Sequence, residues 1–246
     1  MSHIWRILGS VGALVFAAHR PDLLAQNAAQ STASTKATRS AASDPAAFFH
    51  DGEIALSSGE YQRAEQAFRA VIDLDSRSFA AYANLGVVYM REKKWDAAVS
   101  MLDKAEKLNP GAAGIRLNIG LAYYRQGEFE QAIPAFVSVV ENDPTSAQAR
   151  YLLGLSYFFT KDYANAVSTL QPLEEAEWNN LNFLYVLAIS AWQAKQPALE
   201  QRTMARLVEI GGSSPEFHLL LGKAHLNREE YDDAIKELEI AAQASP

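Results

Sequence analysis

Cysteine is absent from all 246 residues of the chain. The protein therefore has no disulfide framework, and it cannot be a lipoprotein attached to a membrane through an N-terminal cysteine. A chain of this composition depends for its stability on a hydrophobic core rather than on covalent cross-links.

Clusters of basic residues are also missing. The formal net charge is −7, and the 22 lysines and arginines are dispersed along the sequence instead of forming a run. An acidic chain without a basic patch is a poor ligand for nucleic acid or for an anionic membrane surface. We therefore expect neither nucleic acid nor a membrane among its partners.

Histidine is scarce, and no histidine motif typical of a metal site is present. His218 and His225 are seven residues apart, whereas two ligands on one helix are usually four apart, as in H-E-x-x-H. We interpret both as packing residues and predict no metal site. The other three histidines are His3, His19 and His50.

Residue combinations that carry catalysis are lacking as well. The segment 154–158, GLSYF, begins like a nucleophile elbow but lacks the closing glycine and a predicted strand before it. No glycine-rich phosphate-binding loop occurs, and the acidic pair Glu174-Glu175 lies in a helical, solvent-facing pattern. We predict no catalytic residue and no cofactor, and hence that the protein is not an enzyme.

The N-terminal apolar run is too short to span a bilayer. Arg6 precedes twelve mostly apolar residues, 7–18, whereas a membrane-spanning helix needs about 20. The pattern predicts a signal peptide over residues 1–25, cleaved before Gln26, and export to the bacterial periplasm or outside the cell. An uncleaved anchor and a wrongly assigned start codon are the alternatives. Residues 26–44 are rich in Ala, Ser, Thr and Gln, which predicts a disordered linker.

What the chain does contain is a period of 34 residues. Glycines share this register at positions 52, 86, 120, 154 and 222, and Ala188 fills the missing place. A fixed period of this length indicates one supersecondary unit repeated six times. An alanine stands twelve residues after these glycines and a large apolar residue sixteen after them: Ala64, Ala98, Ala132, Ala166 and Ala234, then Phe68, Leu102, Phe136, Leu170 and Leu238.

The pattern inside each unit predicts two amphipathic helices. In the third unit, apolar residues recur three or four apart in two runs that are separated by the polar segment 125–128. We expect the two helices to cross closely at Gly120. Pro172 should stop or bend the second helix of the fourth unit, whereas Pro134 should only kink its helix.

These residues resemble the tetratricopeptide repeat, whose pattern is W-x2-L-G-x2-Y, then A-x3-F, then P. The resemblance covers residues 45–246 and implies an all-α, right-handed superhelical solenoid of antiparallel helix pairs. The units begin near residues 45, 79, 113, 147, 181 and 215, and the fifth is degenerate because Ala188 and Pro197 replace consensus residues. The second unit matches best, with Tyr82, Leu85, Gly86, Tyr89, Ala98, Leu102 and Pro110.

In this family, the first helices of the units line a concave groove that binds partners. A carboxylate clamp, as in heat-shock chaperone adaptors, is disfavoured because Phe49, Glu53, Leu117 and Leu121 take the places of its basic residues. These groove side chains could form a surface that binds a partner. Alternatively, several of them pack between successive units of the superhelix. The candidate partner-binding residues are Asn84, Arg91, Asn118, Leu121, Tyr124, Arg125, Tyr151, Leu155, Phe158, Phe159 and Trp192, with Tyr185 and Ile189 at groove positions of the fifth unit.

We therefore predict a non-catalytic protein–protein interaction scaffold or adaptor that binds a peptide or a helix of its partner. One alternative is that the repeats are the N-terminal part of a longer enzyme or sensor. Another is a self-assembling structural protein, because the last unit has no following helix to cover Leu226, Ile235 and Leu238. We expect either self-association through that C-terminal unit or a truncated reading frame.

Overall fold

The computed structural model describes residues 44–212 and 214–244. The predicted signal peptide, and the predicted linker except Asp44, lie outside the described residues. Throughout these residues the secondary structure is helical and no strand occurs. The chain divides into two halves, the first ending at Asn142 and the second beginning at Asp143.

The N-terminal half consists of three helix pairs. Their first helices begin 34 residues apart, and each helix packs against its partner in the pair. Within this half, the second helix of one pair also packs against the first helix of the next. The helices are α1 (Pro45–Ser57), α2 (Tyr61–Leu74), α3 (Phe79–Arg91), α4 (Trp95–Leu108), α5 (Ala113–Gln126) and α6 (Phe129–Asn142).

The C-terminal half repeats this arrangement with one interruption. The second helix of its first pair ends at Leu170, and a 3-10 turn (Gln171–Leu173) containing Pro172 follows. The predicted stop at Pro172 is therefore confirmed, and α6 runs through Pro134 without a break, also as predicted. The helices are α7 (Ala147–Phe159), α8 (Tyr163–Leu170), α9 (Glu174–Glu177), α10 (Leu181–Gln193), α11 (Pro197–Gly211), α12 (Pro215–Asn227) and α13 (Tyr231–Ala244).

The repeated glycines are packing residues, as the sequence predicts. A Cβ atom on Gly120 would lie 2.6 Å from Cε1 of Phe136, whose side chain is fully buried. The residue that contacts the glycine is in each case the large apolar side chain sixteen positions later, on the second helix of the same pair. The pairs are Gly52–Phe68, Gly86–Leu102, Gly120–Phe136, Gly154–Leu170 and Gly222–Leu238.

The turn inside each pair has the same backbone conformation. One residue adopts a positive φ, and the amide of the next residue donates to the carbonyl five positions earlier, as in a Schellman motif. Glycine, which accepts this conformation most easily, occupies only two of the six places. The six residues, spaced 34 apart, are Gly59, Lys93, Gly127, Lys161, Lys195 and Glu229.

Candidate peptide-binding groove

The first helices of successive pairs contact one another within each half of the chain. In the C-terminal half, α7 contacts α10 and α10 contacts α12, so three first helices follow one another directly. In the N-terminal half, α1, α3 and α5 do the same. Polar caps fix where some of these helices begin: the Ser146 hydroxyl accepts from the amide of Ala149.

The candidate residues of the N-terminal half differ in exposure. Leu121 is buried at 4 % exposure, so it supports the surface of α5 from beneath. Asn84 is partly exposed, but its side-chain nitrogen is buried and has no hydrogen-bond acceptor in the described part of the chain. Arg91 is exposed at the last turn of α3, and Asn118 and Arg125 are partly exposed on α5.

Tyr124 is held in place by an aromatic contact within its own helix pair. Its ring meets the ring of Phe129 edge to face at a centroid distance of 5.3 Å. Burial raises the pKa of the Tyr124 hydroxyl, and the positive charge of Arg125 acts in the opposite direction. This hydroxyl therefore remains protonated at neutral pH.

In the C-terminal half, the candidate residues divide into two groups. Tyr151 and Leu155 are buried at 8 % and 1 % exposure, and they form the floor of the surface. Phe158, Phe159 and Trp192 are partly exposed near the ends of α7 and α10. Only this second group presents surface that a partner can contact.

Four rings form an aromatic cluster at this place: Phe158, Phe159, Tyr163 and Tyr185. The Phe158 ring is central, with centroid distances of 5.6 Å to Phe159, 6.1 Å to Tyr163 and 6.4 Å to Tyr185, all edge to face. Such pairs are each favourable by about 0.5 to 1.5 kcal/mol beyond the burial of their area. The aromatic cluster is therefore a rigid apolar surface built on α7, α8 and α10.

Polar side chains of the last pair border the aromatic cluster. The side-chain nitrogen of Asn227 donates to the Tyr185 hydroxyl at 3.3 Å. Burial raises the pKa of Tyr185 to about 12, an effect that the bond from Asn227 partly opposes. The guanidinium of Arg228 lies 6.0 Å from the Trp192 ring and forms an ion pair with Glu200.

The sequence analysis did not identify Lys223, Asn227 and Arg228 as groove residues. Lys223 and Asn227 lie in α12, the first helix of the sixth pair, and Arg228 directly follows it. Lys223 and Asn227 stand in the sixth unit at the places that Ile189 and Gln193 hold in the fifth. The sequence does contain a signal for Lys223 and Asn227: applying the family's groove positions to the sixth unit, 34 residues further on, identifies both. Tyr163, at the start of α8, was missed because the family's groove is assigned to first helices alone.

The residues considered for catalysis and metal binding have other contacts. Ser156 is fully buried in α7, and its hydroxyl donates to the carbonyl oxygen of Leu152 at 2.8 Å. His218 contacts Glu237 at 2.6 Å, and His225 contacts Glu230 at 2.7 Å, both through Nδ1. In the described residues, no three His, Cys, Asp or Glu side chains are grouped so that they could hold a metal ion.

None of the helices within the described ranges combines the length and the apolar character that crossing a membrane requires.

Family models match most of the repeat region. One tetratricopeptide repeat model matches residues 117–180 and 185–246, and a second matches residues 55–117. The chain belongs to the tetratricopeptide repeat family. Among curated protein sequences none matches this tetratricopeptide repeat (TPR) protein.

Solved structures share the fold at low sequence identity. YrrB, described as a TPR protein with an unusual peptide-binding site, is 18% identical to this chain, with a TM-score of 0.63. The match covers 69% of this chain and 88% of YrrB. A MamA double mutant from RS-1 is 17% identical with a TM-score of 0.62, covering 68% and 94%. PilF of Pseudomonas aeruginosa is 20% identical with a TM-score of 0.58, covering 78% and 88%. The protein is thus an all-α TPR protein made of helix pairs.

Proposed function

We propose that this TPR protein is a non-catalytic interaction scaffold whose groove binds a peptide or a helix of a partner protein. The observation that carries the proposal is the aromatic cluster, which keeps Phe158 and Phe159 partly exposed on a helix surface. The peptide-binding site of the structurally similar YrrB supports it. Members of this family generally act as scaffolds rather than as enzymes.

The chemistry of the surface suits an apolar anchor of a partner. Aromatic side chains lose little conformational entropy on binding, and those in interfaces commonly contribute about 1 to 3 kcal/mol each. Tyr151 and Leu155 lie on the same helix as Phe158 and Phe159, and both are buried. An amphipathic helix or an extended peptide with apolar side chains fits such a surface.

Polar candidates in the N-terminal half provide contact groups of their own for a partner. Asn84 and Asn118 provide amide groups, and Arg91 and Arg125 provide guanidinium groups for backbone carbonyls or carboxylates. Tyr124 adds an aromatic surface, with Leu121 beneath it. These six residues remain proposals for partner contacts.

The proposal is tested by capture of the native partner with single variants. Phe158→Ala, Trp192→Ala and Tyr124→Ala should each reduce capture by the full chain while the protein stays folded by circular dichroism. Val208→Ala is the matched control, since it removes a side chain that is 52% exposed on a second helix, α11. Equal capture by all four variants would argue against a groove on the first helices.

We also propose self-association through the last helix pair, because α13 exposes apolar side chains. Ile235 is 54% exposed, whereas Val167, which holds the same place two repeats earlier, is 1% exposed where α8 packs against α10. Tyr231 is 60% exposed, and Tyr163 at its equivalent place is partly exposed. A second copy of the chain would cover this face as α10 covers α8.

Export to the bacterial periplasm or outside the cell is the third part of the proposal. It rests on the charged start, the apolar run and the small residues within 1–25. N-terminal sequencing of protein from an envelope fraction should find Gln26 as the first residue. Intact Met1 on protein from the cytoplasmic fraction would contradict export.

A further inference from the structure

Lys223 lies on the same helix face as a residue that contacts the aromatic cluster. Lys223 and Asn227 are four residues apart in α12, which places them one turn apart on one side of the helix. Asn227 donates to the Lys223 carbonyl at 3.0 Å and to the Tyr185 hydroxyl at 3.3 Å. The lysine therefore belongs to the border of the aromatic cluster.

Lys223 is partly buried, and within the described ranges of the chain its ammonium group makes no hydrogen bond and no ion pair. Burial alone lowers the pKa of Lys223, with no contribution from a neighbouring charge. Four other cations of the C-terminal half form ion pairs: Arg202 with Glu174, Arg206 with Glu209, Arg228 with Glu200, and Lys236 with Asp233.

The Tyr185 hydroxyl is a second hydrogen-bond donor near this border, because it contacts Asn227, which lies one turn from Lys223 in α12. The Tyr185 hydroxyl accepts from Asn227, and its own hydrogen has no acceptor among the residues the structure describes. Partial burial of an unpaired cation and an unused hydroxyl hydrogen is unfavourable until an acceptor is supplied. A carboxylate would supply a negative charge to pair with Lys223. Its oxygen lone pairs could accept hydrogen bonds from both the Lys223 ammonium and the Tyr185 hydroxyl.

We propose that Lys223 binds the side-chain carboxylate of an aspartate or glutamate in the peptide that occupies the groove, next to the apolar anchor received by the aromatic cluster. This inference rests on the proposed function, because it assigns a chemical class of ligand to the same groove. It predicts that the preferred segments are acidic as well as apolar.

Selection from a random library tests the preference. Phage-displayed dodecapeptides are panned on the full chain, and a recovered peptide is synthesised with an amidated C-terminus so that only side-chain carboxylates can contribute. Recovered sequences should share an Asp or Glu near an apolar residue. Lys223→Met should weaken binding of the amidated peptide by about tenfold in fluorescence anisotropy.

Charge reversal distinguishes a direct contact from a general effect. Lys223→Glu should weaken binding of the acidic peptide further and improve binding of its Glu-to-Lys counterpart. Lys236→Glu is the control, because that lysine is exposed on α13 and paired with Asp233, and it should change neither affinity. Lys223→Met should also raise the melting temperature, since it removes a partly buried unpaired charge.

The outcomes separate this inference from the proposed function. Peptides that require Phe158 but carry no acidic residue would overturn the role of Lys223 and leave the groove proposal intact. Peptides that bind equally well to the Phe158→Ala variant, or recovery of no peptide at all, would contradict both. A lower melting temperature for Lys223→Met would show that the ammonium already has a stabilising partner and would overturn the inference.

Discussion

The edge of the Phe158 ring faces the Tyr185 ring at a centroid distance of 6.4 Å, with an interplanar angle of 69°. Phe158 lies near the end of α7 and Tyr185 near the start of α10, so the contact joins the first helices of two successive pairs. Asn227 of α12 then contacts the Tyr185 hydroxyl. These contacts make the surface of three first helices continuous at the aromatic cluster.

Leu155 and Phe158 should respond differently to truncation, although they lie on one helix. Leu155→Ala should lower the free energy of unfolding by about 2 to 5 kcal/mol, because this side chain is 1% exposed and its removal leaves a cavity. Phe158→Ala should cost about 1 to 2 kcal/mol, since the ring is partly exposed. Urea denaturation measures both. A larger loss at Phe158 would mean that this ring is core rather than binding surface.

The two glycines of α5 should tolerate alanine unequally. Gly120→Ala should lower the free energy of unfolding by about 1 to 3 kcal/mol, because the new methyl group would meet the buried ring of Phe136. Gly114→Ala is the matched control: nothing lies within 4 Å of its Cβ position, and the change should raise stability by about 0.5 to 1 kcal/mol. Equal effects at both positions would contradict the close helix crossing.

Lysine residues in the left-handed turn conformation are candidates for stabilisation by glycine. Lys161 has a φ of 64°, so Lys161→Gly should raise the free energy of unfolding by about 0.5 to 1 kcal/mol. The same substitution at Lys236, within α13, should lower it by about 0.5 to 1 kcal/mol. Thermal denaturation of both variants reports the sign of each effect, and destabilisation by Lys161→Gly would show that its backbone is not left-handed in solution.

Charge on α13 should prevent self-association. Ile235→Glu should reduce the mass measured by light scattering to that of a monomer, because a carboxylate on this face cannot be buried against a second copy without cost. Val208→Glu is the control, with 52% exposure compared with 54% at Ile235. A wild-type monomer at high concentration, or dissociation by both variants, would rule out an interface on α13.

The fold was predictable from the sequence because the repeat is a packing pattern. Each consensus glycine contacts a residue sixteen positions later, so a periodic constraint in the structure leaves a period in the sequence. The fifth pair forms although Ala188 replaces the glycine, since its neighbours hold the register. The conformation of Lys161 and Lys195 was not predictable, because lysine carries no preference for a positive φ.

The candidate groove was predictable only as a set of positions. Leu155 and Phe158 both occupy groove positions, yet Leu155 is buried and Phe158 is partly exposed. This difference depends on how the neighbouring helices pack around each position. The proposed role of Lys223 depends on its having no carboxylate partner among the residues the structure describes, and sequence spacing does not show which side chains meet across helices.

Hydrogen–deuterium exchange of the full chain, with and without the selected peptide, tests the central claim most directly. A bound peptide should slow exchange of amides in α7, α10 and α12, because it covers the first helices and restricts their opening. Exchange in the second helices α11 and α13 should change little, and Phe158→Ala should abolish the effect. Protection centred on α11 and α13, with the first helices unchanged, would contradict the account.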